Sequence, residues 1–440
     1  MAGKKKRLIF ITLSVFLIGM GFISAFLLWK GKQKDITIEL GMFSGSNWNI
    51  ANGNSYRTVD RAVAIFEDSH PGVKVHYYSG IRKRDYAGWL AEQVLMGRTP
   101  DVFFVPNDQF NTLISQGILM DLGPIIEADT ELKEWEYFAS AWKAGASQGR
   151  QYALPYEADC TLMAVNLTLL KRHGLQMPNQ DWTWEDFYKL CKVLTLDEDG
   201  DSRIDIAGTC GYTWQEAAYA NGMQIFDADG TRAYFSEPRM VAAVRFMQRI
   251  ASLSGDQLFT AADFDDGRVA FMPMSFATFC TYVSYPYKVY KDLNYEWGCL
   301  PMPAGYSGNN TSQVSTLLVG MEAQTKHKKL AYDLLKTLVH DISVQADIYR
   351  TGQGASPLRI TAALGDSRTV IDAYTYGSRI RGIGLLADIL DNGTAEPKFS
   401  RYESAMSIAD SSISRIIRSQ SDAEISLSVL QRDIQALLVK

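Results

Sequence analysis

The stretch from Ile38 to Gly80 constrains the fold class more than any other part of the chain. Ile38 to Phe43 is a short apolar run of strand character. A Gly/Asn/Ser loop follows from Ser44 to Ser55 and carries one tryptophan, Trp48. Val59, Val63 and Phe66 then recur at helical spacing, Pro71-Gly72 stops the helix, and Val73 to Tyr78 alternates like a strand. Strand, loop, helix and strand in this order make a unit of parallel sheet. In such units ligands bind beyond the carboxyl end of the first strand. Trp48 is therefore expected to line a ligand cleft.

The same alternation continues. Val102 to Val105 is a continuous apolar run, as expected of a strand buried on both faces. Pro106-Asn107-Asp108 ends it, and Phe110 to Ile118 is helical. Two strand-like runs flank Pro155-Tyr156-Glu157. Thr183 with Asp186 three residues on forms a capping box, opening a helix whose apolar face is Phe187, Leu190, Cys191 and Leu194. Further strands are expected at Val269–Ser275, Trp297–Pro303 and Thr316–Met321. Helices are expected at Met240–Leu253, Lys328–Val339 and Ser421–Val439, the last with a capping box from Ser421 to Glu424. With 440 residues, 47% of them hydrophobic, the chain can build two separate cores. The expected class is α/β, with a mostly parallel sheet in the first lobe.

Charge and motifs remove several functions. The net charge of -5 gives no basic surface for nucleic acid. No nucleophile motif, metal triad or phosphate loop is present, which argues against an enzyme. The five cysteines, Cys160, Cys191, Cys210, Cys280 and Cys299, are scattered without framework or zinc spacing and read as buried free thiols.

The amino-terminal 35 residues are of another kind. Lys4-Lys5-Lys6-Arg7 precedes Leu8–Trp29, which contains no charged residue. At about 1.5 Å per residue these 22 residues span roughly 33 Å, enough for a bilayer. No small-x-small cleavage site precedes Lys30, and no lipoprotein cysteine ends the segment. An uncleaved membrane anchor is expected, with a removed signal peptide as the alternative.

An acidic loop is the one metal candidate. Asp197, Asp199, Asp201 and Asp205 fall at positions 1, 3, 5 and 9 of a calcium loop, and Arg203 offers a carbonyl at position 7. Ser202 stands where that loop wants glycine, and Gly208 where it wants a bidentate glutamate. A structural calcium and a plain acidic turn both fit. No other cofactor is expected.

The order of these segments resembles the extracellular solute-binding proteins of ABC importers, specifically the sugar-binding group that includes maltose-binding protein. FEDSHPGVKVHY, TPDVFFVPNDQFNTLISQGILMDL, YALPYEADCTLMAVNLTLL with TWEDF, DDGRVAFMPMSF and WGCLPMPAG carry the likeness, which spans about residues 36–440. It implies a two-lobed fold of the periplasmic-binding-protein type II, with an interlobe cleft and hinge closure on a carbohydrate. Lobe one would be 36–157 plus 276–322, and lobe two 160–275 plus 323–440. A monomer presenting an oligosaccharide to a membrane permease outside the cell is expected. Asp108 and Glu157 match carboxylate positions that bind sugar hydroxyls; Asn107, Gln109 and Tyr156 flank them. Trp214 matches a stacking region facing Trp48. Ser275, Phe276 and Thr278 follow the second crossing, and Gly354 belongs to a late loop facing the cleft. Tyr282, Tyr285 and Tyr287 read as packing residues.

Overall fold

The computed structural model describes residues 36–48, 50, 56–283, 294–351, 354–362, 364 and 382–439. The expected membrane segment, Tyr285 and Tyr287 lie outside them. Among the described residues no helix is long and apolar enough to cross a membrane.

The opening unit forms as its periodicity dictates. β1 (Ile36–Gly41) pairs in parallel with β2 (Val73–Tyr77) and with β3 (Val102–Val105), all four residues of which are buried. α1 (Arg57–Ser69) buries Thr58, Val59, Ala62 and Phe66, and α2 (Lys83–Leu95) buries Tyr86 and Leu90. After β3 comes the short helix α3 (Phe110–Ser115).

β4 (Ala153–Asn166) is one strand of 14 residues, where two runs broken at Pro155 were expected. Proline lacks a donor for the ladder, and strands accept it at bulges. The partner strand slips register between Leu317 and Leu318, and Leu318 faces Pro155. The chain thus continues straight through and reaches from one lobe into the other.

The second lobe is built from α4 (Trp184–Val193), β5 (Ala207–Thr209), α5 (Trp214–Ala220), α6 (Pro238–Ser254), β6 (Val269–Ser275), α7 (Phe276–Val283) and β7 (Trp297–Leu300). β8 (Gln313–Met321) returns to the first lobe, followed by α8 (Lys328–His340) and α9 (Ile342–Thr351). α10 (Gly382–Asn392), β9 (Thr394–Ala395), α11 (Tyr402–Ser419) and α12 (Ala423–Val439) complete the described chain.

The nine strands run β2-β1-β3-β8-β4-β6-β5, with β9 beside β8 and β7 beside β4. In the first lobe the strands run mostly parallel, as expected, with β8 reversed, and the sheet as a whole is mixed. β8 lies antiparallel between β3 and β4, and β6 and β7 lie antiparallel to β4. The first half of β4 pairs with β8, and the second half, from Thr161, pairs with β6.

Three clusters of buried side chains follow from this sheet. One gathers Ile38, Phe66, Phe103 and Leu318 in the first lobe, and another gathers Trp184, Phe246, Phe271 and Ile413 in the second. A third, with Cys160, Met274, Cys280 and Leu390, lies where the chain crosses. The two lobes are those of a periplasmic-binding-protein fold, but two boundaries move. β7 pairs with the second half of β4, so it belongs to the second lobe. Leu334, Leu335, Leu338 and Val344 of α8 and α9 sit in the first-lobe core, so both helices belong there.

Candidate functional site

The crossing strand carries the chemistry. Glu157 and Asp159 are two residues apart, so they share a face of β4. Glu157 is only 2% exposed, and its Oε1 has no hydrogen-bond partner. Burial pushes its carboxyl up to about 8; the charge of Asp159 adds to this, and the nearby Trp48 indole N–H opposes it. Asp159 is pushed up to about 7, again by burial, against the N–H donors around it. Its Oδ1 accepts from the backbone N–H of Cys160 at 2.9 Å and of Ala277 at 3.0 Å, and the Ser275 hydroxyl neighbours it. Neither carboxylate has an ion-pair partner among the described residues.

Trp48 and Gly354 meet Glu157. The loop carrying Trp48 is tied down by Ser44 N–H donating to the Ile81 carbonyl at 2.6 Å and by Lys83 Nζ donating to the Asn47 carbonyl. The Trp48 indole packs on the first-lobe core, and its Nε1 is buried without a partner. Ala355 and Ala158 exchange two backbone hydrogen bonds of 2.8 Å, which bring Gly354 against the crossing strand. A Cβ on Gly354 would stand 2.7 Å from Trp48 Nε1 and 2.8 Å from both Glu157 Oε1 and the Ala158 oxygen. Only glycine lets these groups approach.

The loop after β3 forms a second pole. Asn107 Nδ2 donates to Glu396 at 3.0 Å, and its Oδ1 accepts from Lys398 Nζ at 2.9 Å. Lys398 also donates to the Thr316 carbonyl at 3.2 Å. Burial lowers its ammonium to about 8, and Glu396 resists the shift. Asp108 is exposed; Gln109 donates to the Ala87 carbonyl at 3.4 Å. Desolvation lowers the Lys83 ammonium, and the charges of Glu396 and Glu403 oppose the shift. Glu396 and Lys398 border a cavity of about 480 Å³ between the lobes, with Phe110 and Asn111 on one wall and Tyr219 and Phe226 on the other. A larger groove, of about 1330 Å³, lies on the first lobe around Trp135, Lys336 and Arg359. None of Trp48, Glu157, Asn107 or Lys398 borders it, and of these four only Lys398 borders the smaller cavity.

Several expected residues stand elsewhere. Trp214 does not face Trp48: it is 3% exposed in the second-lobe core, and its Nε1 donates to Asp410 at 2.7 Å. The capping box of Thr213 and Glu216 fixes α5 so that this ring turns inward. Tyr156, the extra residue where β4 slips against β8, is buried and packs against Phe104 with ring centroids 5.0 Å apart. Phe276 is buried against Phe279 and Tyr349. The Ser275 hydroxyl accepts from Thr278 N–H at 3.0 Å, which caps α7. Tyr282 is buried, as a packing residue should be, and donates to Asp265 at 2.7 Å.

Sequence reasoning missed Asp159, Tyr219, Glu396 and Lys398. Asp159 was legible, because a second acid two positions on in an apolar strand must share the face of the first. The other three carry no local signal.

The acidic loop brings one carboxylate oxygen each from Asp197, Asp199 and Asp205 within 4.8 Å of one another. Asp201 instead accepts from Arg203 N–H at 2.7 Å. Ser202 adopts φ 71°, the conformation a glycine would take there.

The likeness to known proteins is broad. MalE, the sugar-binding protein of Xanthomonas citri, aligns with a TM-score of 0.73 at 17% identity, covering 92% of this chain and 97% of that one. The cyclic alpha-maltosyl-1,6-maltose binding protein of Arthrobacter globiformis aligns at 0.72 and 14%, covering 92% and 98%. An ABC substrate-binding protein of Listeria monocytogenes, in complex with cycloalternan, aligns at 0.64 and 18%, also covering 92% and 98%. At these identities the likeness is one of fold. The family described as bacterial extracellular solute-binding protein matches residues 51–341, and the chain belongs to that family.

Proposed function

We propose that the protein binds a carbohydrate, an oligosaccharide by preference, between its lobes outside the cell, and passes it to an ABC permease by hinge closure. One observation carries this reading. Glu157 Oε1 and Trp48 Nε1 are a buried acceptor and a buried donor that lie side by side against Gly354, near enough to act on each other, and neither makes a well-formed hydrogen bond. Unpaired buried polar atoms are costly. A hydroxyl group can accept from one and donate to the other, whereas an ammonium only donates and a carboxylate only accepts. Hydroxyl-rich solutes fit this demand, and aromatic rings such as Tyr219 beside the cavity suit their C–H faces. Similar folds with sugar names support the same choice.

The protein needs no catalytic group for this role, and residues 8–29 would hold it at the membrane. A calcium ion held by Asp197, Asp199 and Asp205 would be structural.

Isothermal calorimetry with a panel of oligosaccharides tests the reading. Saturable binding without product supports it. Heat only with a non-carbohydrate solute, or with no solute, overturns it.

A further inference from the structure

Glu396 and Lys398 meet at one amide. Asn107 offers its Nδ2 to the carboxylate and its Oδ1 to the ammonium, at 3.0 and 2.9 Å. The amide holds the two charges apart, and no ion pair joins them among the described contacts. Lys398 is 5% exposed, so it cannot exchange bulk water freely for its hydrogen bonds. An ammonium has three N–H donors. The described bonds use two, to Asn107 and to the Thr316 carbonyl. Both residues border the cavity between the lobes. Lys143 and Asp229, also in the lining, balance each other in charge, so nothing there favours an anion over a neutral solute.

We propose that Lys398 and Glu396, spaced by Asn107, form a specificity-determining donor–acceptor pair that reads two neighbouring hydroxyls of the bound solute. The ammonium donates its remaining N–H to one hydroxyl oxygen, and the carboxylate accepts the proton of the next. A vicinal diol in the right configuration satisfies both groups. A deoxy analogue leaves one of them buried and unpaired. The pair stands on the third crossing, between β9 in the first-lobe sheet and Tyr402 in the second-lobe core. It therefore reads the solute at the point where the lobes turn. The inference rests on the carbohydrate reading.

The test uses the full chain with maltose, mannotriose, acarbose and D-tagatose as probes, then monodeoxy analogues of whichever binds. Lys398→Met should weaken binding by about 10- to 100-fold, the loss of a hydrogen bond to a charged group. It should also bind one deoxy analogue as well as the parent sugar, which the wild-type protein rejects. A merely structural role would lower affinity for both alike. Glu396→Gln, at a half-buried position, should relax selection at the adjacent hydroxyl, and carries the test if Lys398→Met does not fold. Wild-type binding with unchanged affinity and selection in both variants overturns this inference alone. If the wild-type protein binds no glycan, the carbohydrate reading falls, and this inference falls with it.

Discussion

Glu157 makes stability depend on pH in a defined direction. Its carboxyl rises from an ordinary value of 4.5 to about 8 in the folded protein. Between these values the folded state holds a proton that the unfolded state has lost, so stability declines as pH rises through that window and levels off above it. Asp159, rising to about 7, adds in the same sense. Glu157→Gln removes this dependence. Its melting temperature should gain on the wild-type protein between pH 5 and pH 8 in a thermal scan, and equal gaps at both values would refute the argument. Gly354→Ala places a methyl group against Trp48, Glu157 and the Ala158 oxygen. Overpacking of this kind costs about 1–3 kcal/mol, and chemical denaturation should show it together with weakened solute binding. Trp48→Ala should weaken binding with little change in folding. At this scale the sequence was half legible. A tryptophan in a polar loop and an acid in an apolar strand both announced themselves, but Trp214, equally conspicuous, was turned inward by its capping box.

Elements were legible wherever local rules act alone. The Thr183–Asp186 capping box forms as expected, and Thr183→Ala should cost about 1 kcal/mol in a denaturation experiment. Ser421 does not cap the last helix: Asp422 accepts from Ile425 N–H at 2.9 Å instead, a competition between neighbouring acceptors that spacing cannot decide. β4 was harder to read, because proline normally ends a strand and only the bulge at Tyr156, beside Pro155 in β4 itself, rescues it. The acidic loop belongs to this scale too. If it holds calcium as a weak site, with a Kd of about 10⁻⁴–10⁻³ M, 1 mM Ca²⁺ would stabilise by about 0.4–1.4 kcal/mol. Asp199→Asn should abolish the rise in melting temperature, and no shift in the wild-type protein would leave the loop an acidic turn.

The whole molecule should close on its ligand. Small-angle scattering should show a smaller radius of gyration when a bound sugar is added, and an unchanged profile at saturation would argue against hinge closure. The sequence by itself determined the α/β class, two cores, the crossing strand's Glu157 and the loop tryptophan. These follow from periodicity and burial, which act over a few residues. Only the tertiary structure decided that α8 and α9 pack on the first lobe, that the sheet is mixed, and that Lys398 meets Asn107. The reason is distance along the chain. Asn107 and Lys398 are 291 residues apart, and their amide and ammonium meet only because three crossings bring both lobes to one cleft.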